Sequence, residues 1–200
     1  MKMIILASAS PRRAELLQQI GVQFETHHTN IDETLHHGEH AQDYVMRLAL
    51  EKGLALSSEI AISRGLPVLG ADTSVIIGDE VLGKPRDSEH FHQMMVKLSG
   101  ATHQVMTAVT LIPPDAEPMS ALSVSNVSFR HLQTSEIEAY WQSGEPADKA
   151  GGYAIQGLGA IFIENMAGSY SGVMGLPLFE TAQLLNRVGI ATLKIDGESK

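Results

Sequence analysis

The sequence predicts an α/β protein with a mixed β-sheet flanked by helices. Short apolar runs alternate with amphipathic helical patterns along most of the 200 residues, which is typical of this class. Two long β-type runs, 102–112 and 120–131, are joined by a short connection that contains two prolines. The run 67–77 turns back on itself through Gly78-Asp79-Glu80, a hairpin signal. Because hairpins are antiparallel, we do not expect a simple doubly wound sheet.

The N-terminal elements follow from apolar runs and from helix end signals. Residues 3–7 are uniformly apolar and predict a buried strand. The stretch 11–20 predicts a helix, because a proline suits its first position and a glycine follows its last. A second strand is expected over 22–27, followed by a polar loop over 28–40. The long apolar stripe over 41–62 predicts a helix that ends near the next glycine and proline.

The remaining elements complete the alternation. After the hairpin, which returns through Val81 and Leu82, residues 88–98 read as a helix. A glycine-rich segment, 144–160, lies between two further helical patterns. The last predicted elements are helices over 134–142 and 177–188 and strands over 161–164 and 190–195.

Composition limits the size of the fold and the classes of partner. We expect one domain over 1–200, with residues after about 195 as a disordered tail. The net charge of −9 argues against polymeric nucleic acid as a partner. No long apolar segment predicts a membrane span or a secretory signal. The absence of cysteine excludes disulfides and thiolate sites and fits a cytoplasmic protein.

The run Ser8-Ala9-Ser10-Pro11-Arg12-Arg13 predicts an anion site. A strand here feeds the start of a helix, whose first amides lack internal partners and carry partial positive charge. Ser10 can cap the helix, and the two arginines offer planar forks that match phosphate oxygens.

Asp72 and Lys52 are charged residues in apolar surroundings. Asp72 lies inside the β-type run 68–77, where a carboxylate is costly unless it is paired or bound to metal. It is either a cap at a strand end or a functional group, namely a metal ligand or general base. Lys52 falls within the apolar stripe of the 41–62 helix. Its ammonium group either reaches the rim or points into an internal cleft.

Lys84 lies in a sequence that resembles a phosphate-binding loop without being one. The spacing from Gly78 to Lys84 matches such a loop, but Pro85 replaces the required hydroxyl residue. We therefore reject the loop and keep Lys84 as a phosphate contact.

Other polar features carry weaker signals. Glu33 stands in an acidic loop whose default role is a solvated one. The glycine-rich segment around Gln156 indicates backbone that approaches a ligand closely, with a plain surface loop as the alternative. The nine histidines lack ligand spacing, and we expect no histidine metal site.

Taken together, these segments resemble the Maf-like family of nucleoside triphosphate pyrophosphatases. The matching pieces occur in the family's order over residues 4 to about 187. They are Ser8-Ala9-Ser10-Pro11-Arg12-Arg13, Ile31-Asp32-Glu33, Glu51-Lys52-Gly53, Gly70-Ala71-Asp72-Thr73, Gly83-Lys84-Pro85, Leu98-Ser99-Gly100, Asp148-Lys149-Ala150-Gly151, Gln156-Gly157 and Gly175-Leu176-Pro177-Leu178.

The resemblance implies two lobes around a central cleft and, often, a homodimer. It implies hydrolysis of a nucleoside triphosphate to the monophosphate and pyrophosphate, assisted by Mg²⁺ or Mn²⁺, with Asp72 as proton acceptor. Arg12, Thr73 and Gln156 match the residues that mark the dTTP/UTP branch. A sister branch acts on 7-methyl-GTP and has glutamine and glutamate at the last two positions. Gly172 departs from the family, since relatives commonly have asparagine there.

These expectations combine into one hypothesis for the site. Phosphate contacts are Ser8, Arg13, Lys52 and Lys84, the metal ligands are Glu33 and Asp72, and the base is held by Arg12, Thr73 and Gln156. Modified pyrimidine triphosphates are a further substrate class. The alternatives are a nucleotide-binding regulator of septum formation without turnover, and a 7-methyl-GTP pyrophosphatase.

Overall fold

A computed structural model describes residues 3–57 and 64–192. Its centre is a seven-stranded mixed sheet in the order β2-β1-β3-β5-β6-β7, with β4 paired to β3. The strands are β1 (Ile4–Ala7), β2 (Phe24–His27), β3 (Val68–Ile77), β4 (Glu80–Leu82), β5 (Thr102–Ile112), β6 (Met119–Phe129) and β7 (Ile163–Ala167). The pairs β1–β2 and β1–β3 are parallel and the other pairs are antiparallel. The predicted mixed sheet is therefore confirmed.

Helices cover parts of this sheet. They are α1 (Pro11–Gln19), α2 (Ala41–Leu56), α3 (Ser88–Leu98), α4 (Thr134–Gln142), α5 (Tyr170–Met174) and α6 (Leu178–Arg187). Short 3₁₀ helices occupy Glu145–Asp148, Ala150–Gly152 and Leu158–Phe162. Within the described ranges, no helix is long and apolar enough to cross a membrane.

The differences from the predicted elements lie at element ends, in the glycine-rich segment and at α5. The predicted final strand, 190–195, is wrong for residues 190–192, and its remainder lies outside the described residues. Two further expectations lie outside the described residues. They are the tail after about residue 195 and the part of the predicted 41–62 helix that follows residue 57. The 3₁₀ helices and α5 were not predicted, because turns this short have too few positions to show a helical period.

Strand β3 is paired differently along its two edges. On one edge, β5 pairs with every residue from Val68 to Ile76. On the other edge, β1 pairs with 68–70 and β4 pairs with 75–77. Among the described residues, no strand therefore pairs with 71–74 on that second edge, and the gap leaves room for a ligand beside Asp72.

Helix α2 packs directly on β3 through two glycines. A Cβ atom added to Gly70 would collide with the Ala49 carbonyl oxygen and lie 2.7 Å from the Gly53 nitrogen. Such a spacing has no room for a side chain, so the helix approaches the strand backbone closely. Because Gly70 and Asp72 lie on the same face of β3, this approach places Lys52 above the carboxylate.

Two large buried clusters flank the sheet. The first packs α1 and α6 against β1 and the start of β3, and Leu17, Leu69 and Leu185 are fully buried in it. The second packs α3 and α4 against the far half of the sheet around Phe91 and Phe129. Burial on this scale is the main stabilising contribution to the fold.

The second cluster contains a buried polar pair. His103 Nε2 lies 2.8 Å from the Tyr153 hydroxyl, and His103 is only 2% exposed. Its Nδ1 atom has no hydrogen-bond partner among the described residues. Desolvation of the charged ring lowers the pKa of His103 to about 4.

We predict that His103 makes the protein less stable in mild acid. Since its pKa is about 6.5 when unfolded and lower when folded, the unfolded chain takes up the proton first as the pH falls. The loss of unfolding free energy caused by His103 is therefore absent above about pH 6.5, and it grows to about 3 kcal/mol as the pH falls towards about 4. Denaturant unfolding at several pH values measures it.

The comparison variant is His103→Gln, which does not titrate. Between about pH 6.5 and 5, wild type should lose up to about 1.4 kcal/mol per pH unit more than the variant. Parallel stability curves would contradict the prediction.

Candidate active site

A cavity of about 580 Å³ opens at the gap in the edge of β3. It lies between the two buried clusters, with Met174 on one side and Val105 on the other. All of the site residues predicted from the sequence line it: Ser8, Arg12, Arg13, Glu33, Lys52, Asp72, Thr73, Lys84 and Gln156. The structure thus brings together residues from α1, α2, β3 and four connecting segments.

The centre of the cavity is an ammonium group between two carboxylates. Lys52 Nζ lies 2.7 Å from Asp72 Oδ1 and 2.7 Å from Glu33 Oε1. Asp72 is almost fully buried, whereas the side chain of Glu33 is half exposed. Of the two alternatives left open for Lys52, the internal cleft is correct. The cap at a strand end is wrong for Asp72, because its backbone lies within β3 and its carboxylate faces Lys52 and the Ser74 hydroxyl.

Glu33 enters the cavity from a loop that α2 holds in place. The Tyr44 hydroxyl donates to the Glu33 carbonyl oxygen at 2.9 Å. Burial opposes ionisation of Glu33, but hydrogen bonding and charge from Lys52, with the charges of Lys84 and Arg13, outweigh it and hold its pKa below the usual value. Burial and the charges of Asp72 and Glu33 raise the pKa of Tyr44 to about 12, so its hydroxyl remains a donor.

Arg13 connects three parts of the site. Its guanidinium donates to the Gly175 carbonyl at 2.8 Å, to the Ser8 hydroxyl at 3.1 Å and to the Thr73 hydroxyl at 3.3 Å. Burial lowers its pKa and the nearby Asp72 charge opposes that shift. Arg13 is therefore a half-buried cation that fixes the wall of the cavity.

Ser8, rather than Ser10, makes the side-chain contacts at the start of α1. Ser10 occupies the N-cap position, but its side chain makes no capping hydrogen bond. The Ser8 hydroxyl instead accepts from the Ser10 amide at 3.1 Å. The expectation of a Ser10 cap is wrong, because its side chain accepts no hydrogen bond from the first amides of α1.

Thr73 lies on the opposite face of β3 from Asp72. Its hydroxyl lies 3.0 Å from that of Thr107, which donates to the Gly172 carbonyl at 2.7 Å. Thr73 is thereby linked both to Arg13 and to the segment that precedes α6. The gap in the strand edge lets side chains from both faces of β3 reach one cavity.

Arg12, Lys84 and Gln156 line the cavity from three separate segments. Lys84 and Gln156 are exposed and Arg12 is half-buried. Their charges and polar groups therefore face a ligand rather than the protein core. Whether they contact phosphate or base stays a prediction.

Lys149 and Tyr44 also line the cavity, and the sequence argument did not assign them a role. Lys149 lies between two 3₁₀ helices and pairs with Asp148 at 2.6 Å. A signal for it was present in the motif Asp148-Lys149-Ala150-Gly151. Tyr44 gave no signal, because a tyrosine on the first turns of a helix is usually a packing residue.

The carboxylates suit a divalent cation. Within residues 3–57 and 64–192, no three histidine, aspartate or glutamate side chains form a metal-binding cluster. Mg²⁺, however, is commonly held by one or two carboxylates together with substrate phosphates. Glu33 and Asp72 already converge on one cation, the Lys52 ammonium, and their hard oxygen atoms suit Mg²⁺ or Mn²⁺.

Comparisons with known proteins agree with this geometry. The family model described as "Maf-like protein" matches residues 3–188. The dTTP/UTP pyrophosphatase of Alkalilimnicola ehrlichii is 53% identical over 94% of this chain and 93% of its own length. Those of Pseudoalteromonas atlantica and Methylococcus capsulatus are 52% and 50% identical, over 94% and 96% of this chain and 98% and 94% of their own lengths. The chain therefore belongs to the Maf-like protein family.

Proposed function

We propose that this chain is a nucleoside triphosphate pyrophosphatase that hydrolyses dTTP and UTP to the nucleoside monophosphate and pyrophosphate. The observation that carries the proposal is the Lys52 ammonium between Glu33 and Asp72, in a cavity that also contains Arg13 and Lys84. An oxyanion-rich substrate needs cations, and hydrolysis needs a base beside them. Relatives about 50% identical over nearly the whole chain are named for this activity.

Asp72 is the proton acceptor in this proposal. Lys52 holds one of its oxygen atoms at 2.7 Å, and the second lies 3.5 Å from the Ser74 hydroxyl. These contacts orient a carboxylate that is buried at the edge of the cavity. Asp72 takes a proton from water as the water oxygen bonds to the α-phosphorus. The bond from the α-phosphorus to the bridging oxygen breaks, and pyrophosphate leaves with that oxygen.

Scattered cations stabilise the charge that develops on the phosphates. Arg13 is half-buried and is fixed by Ser8, Thr73 and the Gly175 carbonyl, so its charge is preorganised. Lys52 and Lys84 supply further positive charge from α2 and from the segment after β4. Glu33 and Asp72 would hold Mg²⁺ or Mn²⁺, which supplies positive charge to the phosphate oxygens when it is bound.

Arg12, Thr73 and Gln156 read the base in this proposal. A glutamine amide offers both a donor and an acceptor to a pyrimidine edge, whereas a glutamate can only accept.

The proposal also covers modified pyrimidine triphosphates. In this proposal the chain is one domain with two lobes and forms a homodimer. It acts in the cytoplasm on a small substrate, rather than on polymeric nucleic acid or a membrane. The net charge of −9 and the absence of cysteine support this setting.

Replacing Asp72 with asparagine should remove turnover and keep the fold. The amide preserves the shape of the side chain but cannot accept the proton, so pyrophosphate release should fall by about 10²–10⁴-fold. The measurement is pyrophosphate release from dTTP and UTP, with circular dichroism and nucleotide binding as controls. Near wild-type pyrophosphate release by Asp72→Asn would contradict the assignment of Asp72 as proton acceptor.

Binding of a full panel of triphosphates by wild type, with no pyrophosphate release from any of them, would instead favour the regulator of septum formation.

Replacing Glu33 with glutamine should weaken the response to metal. A neutral amide is a poorer ligand than a carboxylate, so the Mg²⁺ concentration for half-maximal rate should rise at least about tenfold. The matched control is Asp32→Asn in the same loop, whose carboxylate bonds locally to Thr34. The role of Glu33 fails if both variants titrate with metal as wild type does.

Replacing Gln156 with glutamate should change base preference. The ratio of kcat/KM for UTP to that for 7-methyl-GTP should fall by about tenfold or more, because the variant loses the amide donor. Gln142→Glu adds the same charge at an exposed position at the end of α4 and is the control. An unchanged ratio in Gln156→Glu would count against the base-reading role.

A further inference from the structure

The segment that carries Gln156 is held by two side chains that lie outside the cavity. Tyr140 is on α4, and Glu145 opens the 3₁₀ helix that follows α4. Neither is among the described residues that line the cavity. Both nevertheless bond to backbone on either side of Gln156.

The contacts bracket Gln156 in sequence. The Tyr140 hydroxyl accepts the Ala154 amide at 3.1 Å, two residues before Gln156. Glu145 accepts the Leu158 amide at 2.9 Å, two residues after it, and the Gly159 amide at 3.1 Å. The Tyr140 hydroxyl also donates to Glu145 at 2.6 Å, which joins the two sets of contacts. One short chain of hydrogen bonds therefore fixes both ends of the segment.

The backbone also lies too close to these side chains for any residue but glycine. A Cβ atom on Gly157 would lie 2.5 Å from the carboxylate carbon of Glu145, and one on Gly159 would lie 2.7 Å from the Tyr140 hydroxyl oxygen. Real Cβ atoms are not found at such distances. The two glycines allow the segment to wrap around the Tyr140–Glu145 pair.

The direction of each hydrogen bond is set by charge. Burial opposes ionisation of Glu145, but the bonds from Tyr140, Leu158 and Gly159 outweigh it and lower its pKa. Burial, followed by the bond to Glu145, raises the pKa of Tyr140. The carboxylate therefore accepts and the phenol donates, and hydrogen bonds to a charged group are stronger than neutral ones.

We propose that Tyr140 and Glu145 are positioning residues for base selection, because together they set where Gln156 stands in the cavity. This rests on the proposed function, in which Gln156 reads the base. The pair is separate from the Lys52–Asp72 contact, which is built by α2 and β3. Disturbing it moves the base-reading group and leaves the proton acceptor in place.

The test compares Glu145→Gln, Tyr140→Phe and the double variant with wild type. Steady-state kcat and KM are measured with UTP, dTTP and CTP, and stability by thermal unfolding. In each single variant, KM for UTP should rise about tenfold while kcat stays within about twofold, because ground-state positioning is lost and the chemistry is kept. The preference for UTP over CTP in kcat/KM should fall by a similar factor. Since the two residues act as a unit, KM for UTP in the double variant should exceed that in either single variant by no more than about twofold.

The control is Glu25→Gln, which removes a hydrogen-bonded carboxylate from the edge strand β2, where Glu25 pairs with Arg64. It should leave KM and base preference unchanged. Should Glu145→Gln fail to fold, Tyr140→Phe alone decides, since it removes a single hydroxyl.

Two results would overturn the proposal. One is an unchanged KM and base preference in Tyr140→Phe, and the other is an equal loss of kcat with all three substrates. If Gln156→Glu alters base preference while these variants do not, only this inference fails. If Gln156→Glu leaves preference unchanged, the base-reading part of the proposed function fails with it.

Discussion

The site depends on one contact, that of the Lys52 ammonium with the carboxylates of Asp72 and Glu33. A lysine within the apolar stripe of a helix, and an aspartate within a buried strand, are each costly alone. Together they neutralise one another, and the pair is stable only because α2 approaches β3 across Gly53 and Gly70. If a side chain at either glycine held the helix further from the strand, the Lys52 ammonium and the Asp72 carboxylate would not meet. The glycines are therefore as much a condition of the site as the charged groups.

The second constraint is the interrupted edge of β3. β1 pairs with β3 as far as Gly70, and β4 pairs with it only from Val75 onward, so among the described residues no strand lies beside residues 71–74 on that edge. The opening admits Asp72 from one face and Thr73 from the other, while β5 stays paired with β3 along its other edge. Arg13 then joins the Thr73 side to the start of α1. A chain with mixed strand directions can make such an opening, whereas a continuous parallel sheet would cover it.

The sequence predicted the charged residues of the site better than the parts that position them. Asp72 and Lys52 stood out because charges in apolar runs are rare, and the order of short motifs placed Gln156 beside them. The hydrogen bonds of Tyr140, Glu145 and Thr107 could not be predicted, because each depends on how separate segments fold onto one another and such side chains are common elsewhere. The Ser10 cap was wrong, since the Ser10 side chain makes no capping bond and the Ser8 hydroxyl accepts the Ser10 amide. Strand pairing at the gap also required the fold, because no residue type marks where a neighbouring strand ends.

In the proposed reaction, the cavity directs water at the α-phosphorus of a pyrimidine nucleoside triphosphate. Hydrolysis in water enriched in the heavy oxygen isotope, followed by mass spectrometry of both products, tests it most directly. We expect the heavy atom to enter the nucleoside monophosphate and pyrophosphate to contain none. Heavy oxygen in pyrophosphate, or release of inorganic phosphate as the first product, would contradict it.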